Sequence, residues 1–381
     1  WKTLTALVVS PGIPINAKNK HLAIQLAIKN KVNIINEIDL FFQTKPEAKI
    51  IGITGTNGKS TTVALLFHIF KFNKIKCVIG GNYGFPACEI KDPGKHGIII
   101  LELSSYQLDG AKKLSLDLAT ITNITKDHLD YHETFENYKL SKLKIINFLK
   151  ENGTFILNAE NKLLNEMVSK KKFKSVNLIK IKKDETNNYV NDNDYLQGAH
   201  NAYNCSIAVS IAMHLNITLE KIKLAIENFK GLPHRMEPIY ISDKIKIIND
   251  SKSTNGESTA AALKSFENVF WIAGGQPKLG GIGEAKNFLS SVIEVFLIGK
   301  STNYFSKEIS KFKKDLPIHN CLTLEKATKL AFKKAAISNI KNYVILLSPS
   351  AASFDQYRNF EDRGNKFKEI VNQQLSESLT K

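Results

Sequence analysis

The chain of 381 residues is 43% hydrophobic and 23% charged, with 53 Lys and Arg against 36 Asp and Glu, a formal net charge of +17. Its length predicts two or three domains with substantial cores. No apolar run nears the roughly 18 residues that span a bilayer, and no basic and apolar leader opens the chain, so a cytoplasmic protein with no membrane partner is expected.

Four cysteines, Cys77, Cys88, Cys205 and Cys321, lie far apart without a C-x-x-C pair, which argues against a zinc knuckle or a disulfide framework. The charge raises nucleic acid as a partner. Yet all the cationic side chains but Arg235, Arg358 and Arg363 are lysines, spread along every segment, and runs such as Lys170-Lys171-Lys172 have no interleaved aromatic platform. A solvated lysine surface that attracts small anions is expected, with no nucleic-acid partner.

In chain order, short apolar strands alternate with helical periodicity, the pattern of an α/β fold with parallel sheets. Strands are predicted over 4–9, 50–54, 97–103, 118–124, 245–248, 269–273, 295–298 and 343–347. Nearly all run into a loop rich in Gly, Ser, Pro, Asn or Asp, where open α/β sheets bind ligands. Breaks at "FFQTKPEAK" and "FKGLPHRME" divide the chain into 1–40, 41–231 and 232–381. The polar, poorly periodic stretch 170–194 reads as a surface excursion without chemistry.

The first chemical signal is "GITGTNGKST", residues 52–61. A strand feeds Gly55, Thr56, Asn57 and Gly58, then Lys59, Ser60 and Thr61 open a helix with Val63, Leu66, Phe67 and Phe70 on its inner face. Such a turn aims backbone N–H groups and a helix N-terminus at phosphate. The spelling is shorter than the usual P-loop, which has Gly where Ile53 stands. Lys59 suits the β/γ-phosphates and Ser60 a magnesium ion.

Glu102 ends the apolar run "GIIILELSSYQL", where a buried acid requires a partner or a metal. "TNITKDHLDYH" brings Asn123, Asp127, His128, Asp130 and His132 after another strand. A zinc site there lacks a third ligand, so Asp130 and His132 are expected to be solvated or capping, and His128 is read with Glu102 on the expectation that both follow neighbouring strands of one sheet. "ENYKLSKLKIINFLK" has helical periodicity at Leu140, Leu143, Ile146 and Leu149, which leaves Lys142 facing solvent. Arginine kept at loops in a lysine-rich chain points to the bidentate fork that suits phosphate or carboxylate.

In order along the chain, "VVSPGIP", "GTNGKST", "GGNYGFP", "LELSSYQL", "TNITKDHLDYH", "GAHNAYN", "GLPHRME", "INDSKSTN" and "LLSPSAASFDQ" resemble the ATP-dependent Mur ligases of peptidoglycan precursor synthesis, most closely their D-glutamate-adding branch. The resemblance implies a P-loop-like central ATPase domain with a parallel sheet, a C-terminal Rossmann-like domain, and a remnant of an N-terminal Rossmann-like uridine-nucleotide domain. It implies a monomer that uses ATP and Mg2+ to join D-glutamate to UDP-N-acetylmuramoyl-L-alanine through an acyl phosphate, with roles in cell-wall biogenesis, cell shape and cell division.

By the same resemblance Lys59, Glu102, His128 and Lys142 are catalytic, Lys142 as a carbamate formed from CO2, and Ser60, Glu102, His128 and Lys142 serve the metal. Asn201, Asn204, Arg235 and Asp250 join residues 55–61 around ATP. Gly12 beside Ser10 and Pro11, Asn82, Ser104, Lys252, Thr254, Lys278, Ser353, Phe354 and Phe360 fall on substrate positions. Gln276 and Phe354 depart from the family's usual residues at the D-glutamate pocket. Only about 40 residues precede the ATPase domain, where an independent domain has on the order of 100, so weakened binding of the uridine substrate is expected. Folylpolyglutamate synthase is a sister reading that "INDSKSTN" and "SPSAASFDQ" disfavour. A nucleotide- or nucleic-acid-binding module without ligase activity is the reading from another class.

Overall fold

The structure, a computed structural model, describes all residues except 2, 17–19, 170–175, 182–192, 197–198, 278–279, 339 and 380–381. The chain forms two compact units, one of Trp1–Asn193 with His200–Phe229, the other of Asp194–Ala199 with Lys230–Lys381.

In the first unit β1 (Ala6–Val9) and β2 (Asn33–Asn36) pair in parallel over a small apolar cluster of Val9, Ile24, Ala27, Val32 and Ile34. The main sheet comprises β3 (Lys49–Thr54), β4 (Cys77–Gly81), β5 (Ile98–Glu102), β6 (Leu116–Ile121), β7 (Leu149–Asn158) and β8 (Asn177–Ile181). Their order is β4-β5-β3-β6-β7-β8, with every pair parallel. Ile50, Ile51, Ile53 and Ile98–Leu101 are all enclosed, as strands covered by helices on both faces must be. After β3 the helix Lys59–Phe72 carries the chain to β4 on one side, whereas β6 adds on the other. The winding therefore reverses at β3, and the carboxyl ends of β5, β3 and β6 flank that crevice.

The second unit holds β9 (Glu237–Ile241), β10 (Ile245–Asn249), β11 (Val269–Gly274), β12 (Val292–Ile298), β13 (Ile318–Leu322) and β14 (Tyr343–Leu347), in the order β13-β12-β11-β14-β10-β9. Only β9 runs antiparallel to its neighbour. Its core has two layers, one around Trp271, Leu297 and Phe305 and the other around Phe270, Phe296 and Phe367. Among the described residues no helix is long and apolar enough to cross a membrane.

All eight predicted strands are present within a few residues. The unpredicted ones are β2, β7 and the four sheet edges β4, β8, β9 and β13. An edge strand has one side open to solvent and carries polar residues there, as in "NLIKI" and "IHNCL", which blurs the apolar run. The stretch 170–194 is thus not wholly an excursion: β8 lies in it and pairs with β7, while most of the rest falls outside the described residues.

Candidate active site

The turn after β3 is shaped by close approach. A Cβ on Gly55 would lie 1.9 Å from Thr122 Oγ1, and one on Gly58, at φ +82°, 2.2 Å from Asn204 Oδ1. Glycine alone tolerates both the contact and the left-handed backbone. The end of β6 buttresses the turn: Thr56 N–H donates to Asn123 O (2.9 Å), Asn57 N–H to Asn123 Oδ1 (3.0 Å), and Thr122 Oγ1 to Asn57 O (2.6 Å). Lys59 bends back, its Nζ donating to the carbonyls of Gly55 (2.9 Å) and Thr56 (2.8 Å). Asn204 sits on the helix Ala199–His214 and donates Nδ2–H to Asn201 Oδ1 at 3.1 Å, so both predicted asparagines belong to the wall behind Gly58.

Glu102, at the end of β5, is 1% exposed and accepts two hydrogen bonds, from Ser60 Oγ (2.5 Å) and Asn82 Nδ2 (2.7 Å). Three residues predicted from separate motifs thus form one chain of contacts beside the helix N-terminus. A carboxylate next to a hydroxyl is a hard oxygen donor set that suits Mg2+, which keeps waters and phosphate oxygens for its other positions. Among the described residues no three His, Cys, Asp or Glu side chains gather as a metal cage.

His128 follows β6, so it and Glu102 stand on opposite sides of β3 and do not follow adjacent strands. It occupies the left-handed region at φ 51°, with Nδ1 2.5 Å from Tyr106 Oη and Nε2 3.4 Å from Asp127.

Lys142 overturns the reading from periodicity. It is 2% exposed whereas Leu140 is 49% exposed: the helix Phe135–Asn147 buries Leu143 and Ile146 as expected, and turns Tyr138, Ser141, Lys142 and Ile145 inward beside them. Tyr138 anchors that face to the glycine turn, its Oη 2.8 Å from Thr56 Oγ1. Lys142 Nζ donates to Gly55 O at 2.6 Å and stands 4.8 Å from the centre of the Tyr138 ring. Burial, with Lys59 adding to it, pushes the Lys142 ammonium well below the usual lysine range against the pull of Asp127 and Glu102.

His132 is likewise not solvated. It is 4% exposed, its Nε2 lies 3.0 Å from Ser105 Oγ, and its ring stacks on Tyr106. Burial lowers its pKa to about 4 and keeps it neutral. Tyr106 and Tyr138, missed in the sequence, are the struts of this site; their only signal is a tyrosine within each motif. Asp130 is exposed. Ser104 caps the helix Ser105–Gly110, its Oγ accepting from Gln107 N (3.2 Å) and donating to Gln107 Oε1 (3.0 Å). Gly12 has open space around it.

In the second unit Asp250 is enclosed and accepts from the hydroxyls of Ser253 and Ser348 and from Met236 N–H. Burial raises its pKa to about 6, against these hydrogen bonds and Arg235. Lys252 Nζ lies 3.8 Å from the centre of the Phe360 ring. Thr254 is half-buried, Ser353 buried and Phe354 73% exposed; Lys278 lies outside the described residues.

Arg363 is no phosphate or carboxylate ligand in this arrangement. It is 1% exposed, and its fork donates to main-chain carbonyls: Nη2 to Ser251 O (2.8 Å) and Ala351 O (3.1 Å), Nη1 to Ala351 O (3.2 Å), Ala352 O (3.3 Å) and Gly274 O (3.5 Å). Nε reaches Ser251 Oγ at 3.0 Å. The guanidinium thereby ties the ends of the adjacent strands β10, β11 and β14. Arg358 is exposed and pairs loosely with Asp362 at 3.6 Å.

Residues 53–219 match the Mur ligase middle domain. The UDP-N-acetylmuramoylalanine–D-glutamate ligase of Rickettsia felis is 36% identical over 99% of this chain and 86% of its own length. The protein of the same name from Zymomonas mobilis is 36% identical over 97% and 82%. Among solved structures, MurF from Acinetobacter baumannii superposes with a TM-score of 0.66 at 18% identity, covering 96% of this chain and 85% of that one. MurF ligase from Thermotoga maritima in complex with ADP gives 0.64 at 18%, covering 97% and 96%. At such identity these structures speak for the fold.

Proposed function

Because the chain belongs to the family of UDP-N-acetylmuramoylalanine–D-glutamate ligases, ATP-dependent enzymes of peptidoglycan precursor synthesis, we propose that Lys59, Ser60, Glu102, His128 and Lys142 form its phosphoryl-transfer centre. The observation that carries this reading is the Ser60–Glu102–Asn82 chain of hydrogen bonds beside the glycine turn.

The turn 55–58 and the N-terminus of the helix Lys59–Phe72 hold the triphosphate through backbone N–H groups, and Lys59 exchanges its loop carbonyls for the β/γ-phosphates. Asn201 and Asn204 support the turn from behind. Ser60 and Glu102, with His128, would hold Mg2+, which would supply neutralising charge to the transferring phosphoryl group. Asn82 and Ser104 meet the uridine substrate, with Gly12 at its nucleotide edge.

A carboxylate oxygen of the L-alanyl substrate attacks the γ-phosphorus as ADP leaves. The D-glutamate amine then attacks the acyl carbon, loses a proton, and phosphate departs to leave the amide. Lys252, Thr254, Lys278, Ser353, Phe354 and Phe360 orient D-glutamate, and Arg235 and Asp250 meet ATP. Lys142 is carbamylated: its amine is buried and disposed to be neutral, the form that adds CO2. Residues 1–40, 41–231 and 232–381 act as uridine, ATPase and closing segments of a cytoplasmic monomer.

The test is phosphate release with UDP-N-acetylmuramoyl-L-alanine and D-glutamate, set against other amino acids, in the wild type and Lys142→Ala. The variant is expected to lose on the order of a hundredfold or more in rate and to regain part of it with added formate or acetate. An undiminished rate in Lys142→Ala refutes the assignment.

A further inference from the structure

Among the described residues two buried side-chain oxygens meet no hydrogen-bond partner, Glu37 Oε1 and Thr54 Oγ1. Glu37 is half-buried as a residue, whereas Thr54 is wholly enclosed. A hydroxyl shut away from water and protein alike is rare enough in native folds to require an explanation.

Side chains alternate between the faces of a strand, so Ile50, Gly52 and Thr54 of β3 share one. That face meets the helix Phe135–Asn147. Ile50 belongs to the same apolar cluster as Tyr138, Leu143, Ile145 and Ile146, and a Cβ on Gly52 would lie 3.3 Å from Ile145 Cδ1. Two residues further along the strand comes Thr54, and one turn back along the helix from Ile145 comes Lys142. Lys142 Nζ in turn donates to the carbonyl of Gly55, the residue next to Thr54. The ammonium donates to Gly55 O and not to Thr54 Oγ1, and having donors only it offers the Thr54 proton no acceptor. A carbamate on the same nitrogen brings two acceptor oxygens to that space.

We propose that Thr54 is a positioning residue for the carbamate of Lys142, donating its Oγ1–H to one carbamate oxygen and leaving the other free. This rests on the reading of Lys142 given above. When the carbamate forms, the lone pair of the neutral amine attacks the carbon of CO2 and an N–C bond is made. One C=O π pair moves onto oxygen, and the nitrogen releases one proton to solvent. The Thr54 hydrogen bond exists only on the product side, so it raises the affinity for CO2 and fixes the rotation of the carbamate plane.

The experiment is a titration of the full chain with 13C-bicarbonate, followed by the NMR resonance of the carbamate carbon, with Lys142→Ala as the blank. Thr54→Val, which keeps the shape and removes the hydroxyl, is expected to need about tenfold or more CO2 for half-occupancy, as for loss of a hydrogen bond to a charged acceptor. Thr54→Ser is expected to titrate like the wild type. The Tm of Thr54→Val at low CO2 is expected to equal or exceed that of the wild type, since valine removes an unpaired hydroxyl. Equal CO2 affinity in Thr54→Val and the wild type overturns the role of Thr54 and leaves the carbamate standing. Absence of any Lys142-dependent resonance in the wild type overturns both.

Discussion

Replacing Arg363 by methionine removes the fork that ties β10, β11 and β14 while roughly keeping the bulk. Ala352 O retains a second donor, Gln276 N–H at 2.8 Å. The carbonyls of Ser251 and Ala351 do not: among the described residues their donors are those of Arg363 alone. Two buried acceptors left unpaired cost about 1–3 kcal/mol each, offset in part because a cation is no longer buried. A net loss of about 2–5 kcal/mol follows, a large share of the roughly 5–15 kcal/mol that stabilises a domain. Arg363→Lys keeps the charge without the planar fork and is expected to lose an intermediate amount. Of the two tryptophans, Trp271 is fully buried in the second unit and Trp1 lies part-exposed in the first, so Trp271 fluorescence in urea reports the second unit. With a slope of about 2 kcal/mol per molar urea, the middle of the usual range, the midpoint should fall by roughly 1–2.5 M in Arg363→Met. A fall below about 0.3 M would mean that the strand ends hold themselves and that the guanidinium is dispensable.

Asp250 gives the second unit a pH dependence. Its folded pKa of about 6 exceeds the ordinary 3.8, so its contribution is full in acid below 3.8 and is lost as pH rises through 6. Between pH 4 and pH 7 the Trp271-reported stability should drop by about 2–3 kcal/mol more in the wild type than in Asp250→Asn, and parallel profiles would contradict this. Gly58→Ala sets a Cβ 2.2 Å from Asn204 Oδ1 at φ +82°. It should weaken ATP binding measured by calorimetry at least about tenfold, whereas unchanged affinity would show that the turn relaxes freely.

The glycine turn was legible in the sequence because its chemistry is local: glycines, a lysine and a hydroxyl between an apolar run and a helix. Glu102 was legible because a lone acid at the end of "IIILE" has few bland explanations. Lys142 was not, since a leucine pattern fixes a helix face only when leucines supply the packing. Here Leu143 and Ile146 do pack inward, but Tyr138, Ser141 and Lys142 share that face and Leu140 stays outside. Arg363 was readable as unusual but not in its role, because main-chain carbonyls leave no trace in a residue pattern. The same holds for Tyr106 against His128, a meeting of a helix and a distant loop that no spacing encodes.

With its ammonium lodged on the carbonyls of Gly55 and Thr56, Lys59 acts as a resident guest of its own cradle. Those two bonds brace the curve of the turn from within. On the proposed reading nucleotide would evict that guest, an exchange worth most when a terminal phosphate receives the displaced charge. With that phosphate gone the lysine would have somewhere to return to, and spent nucleotide would face an internal competitor at the door.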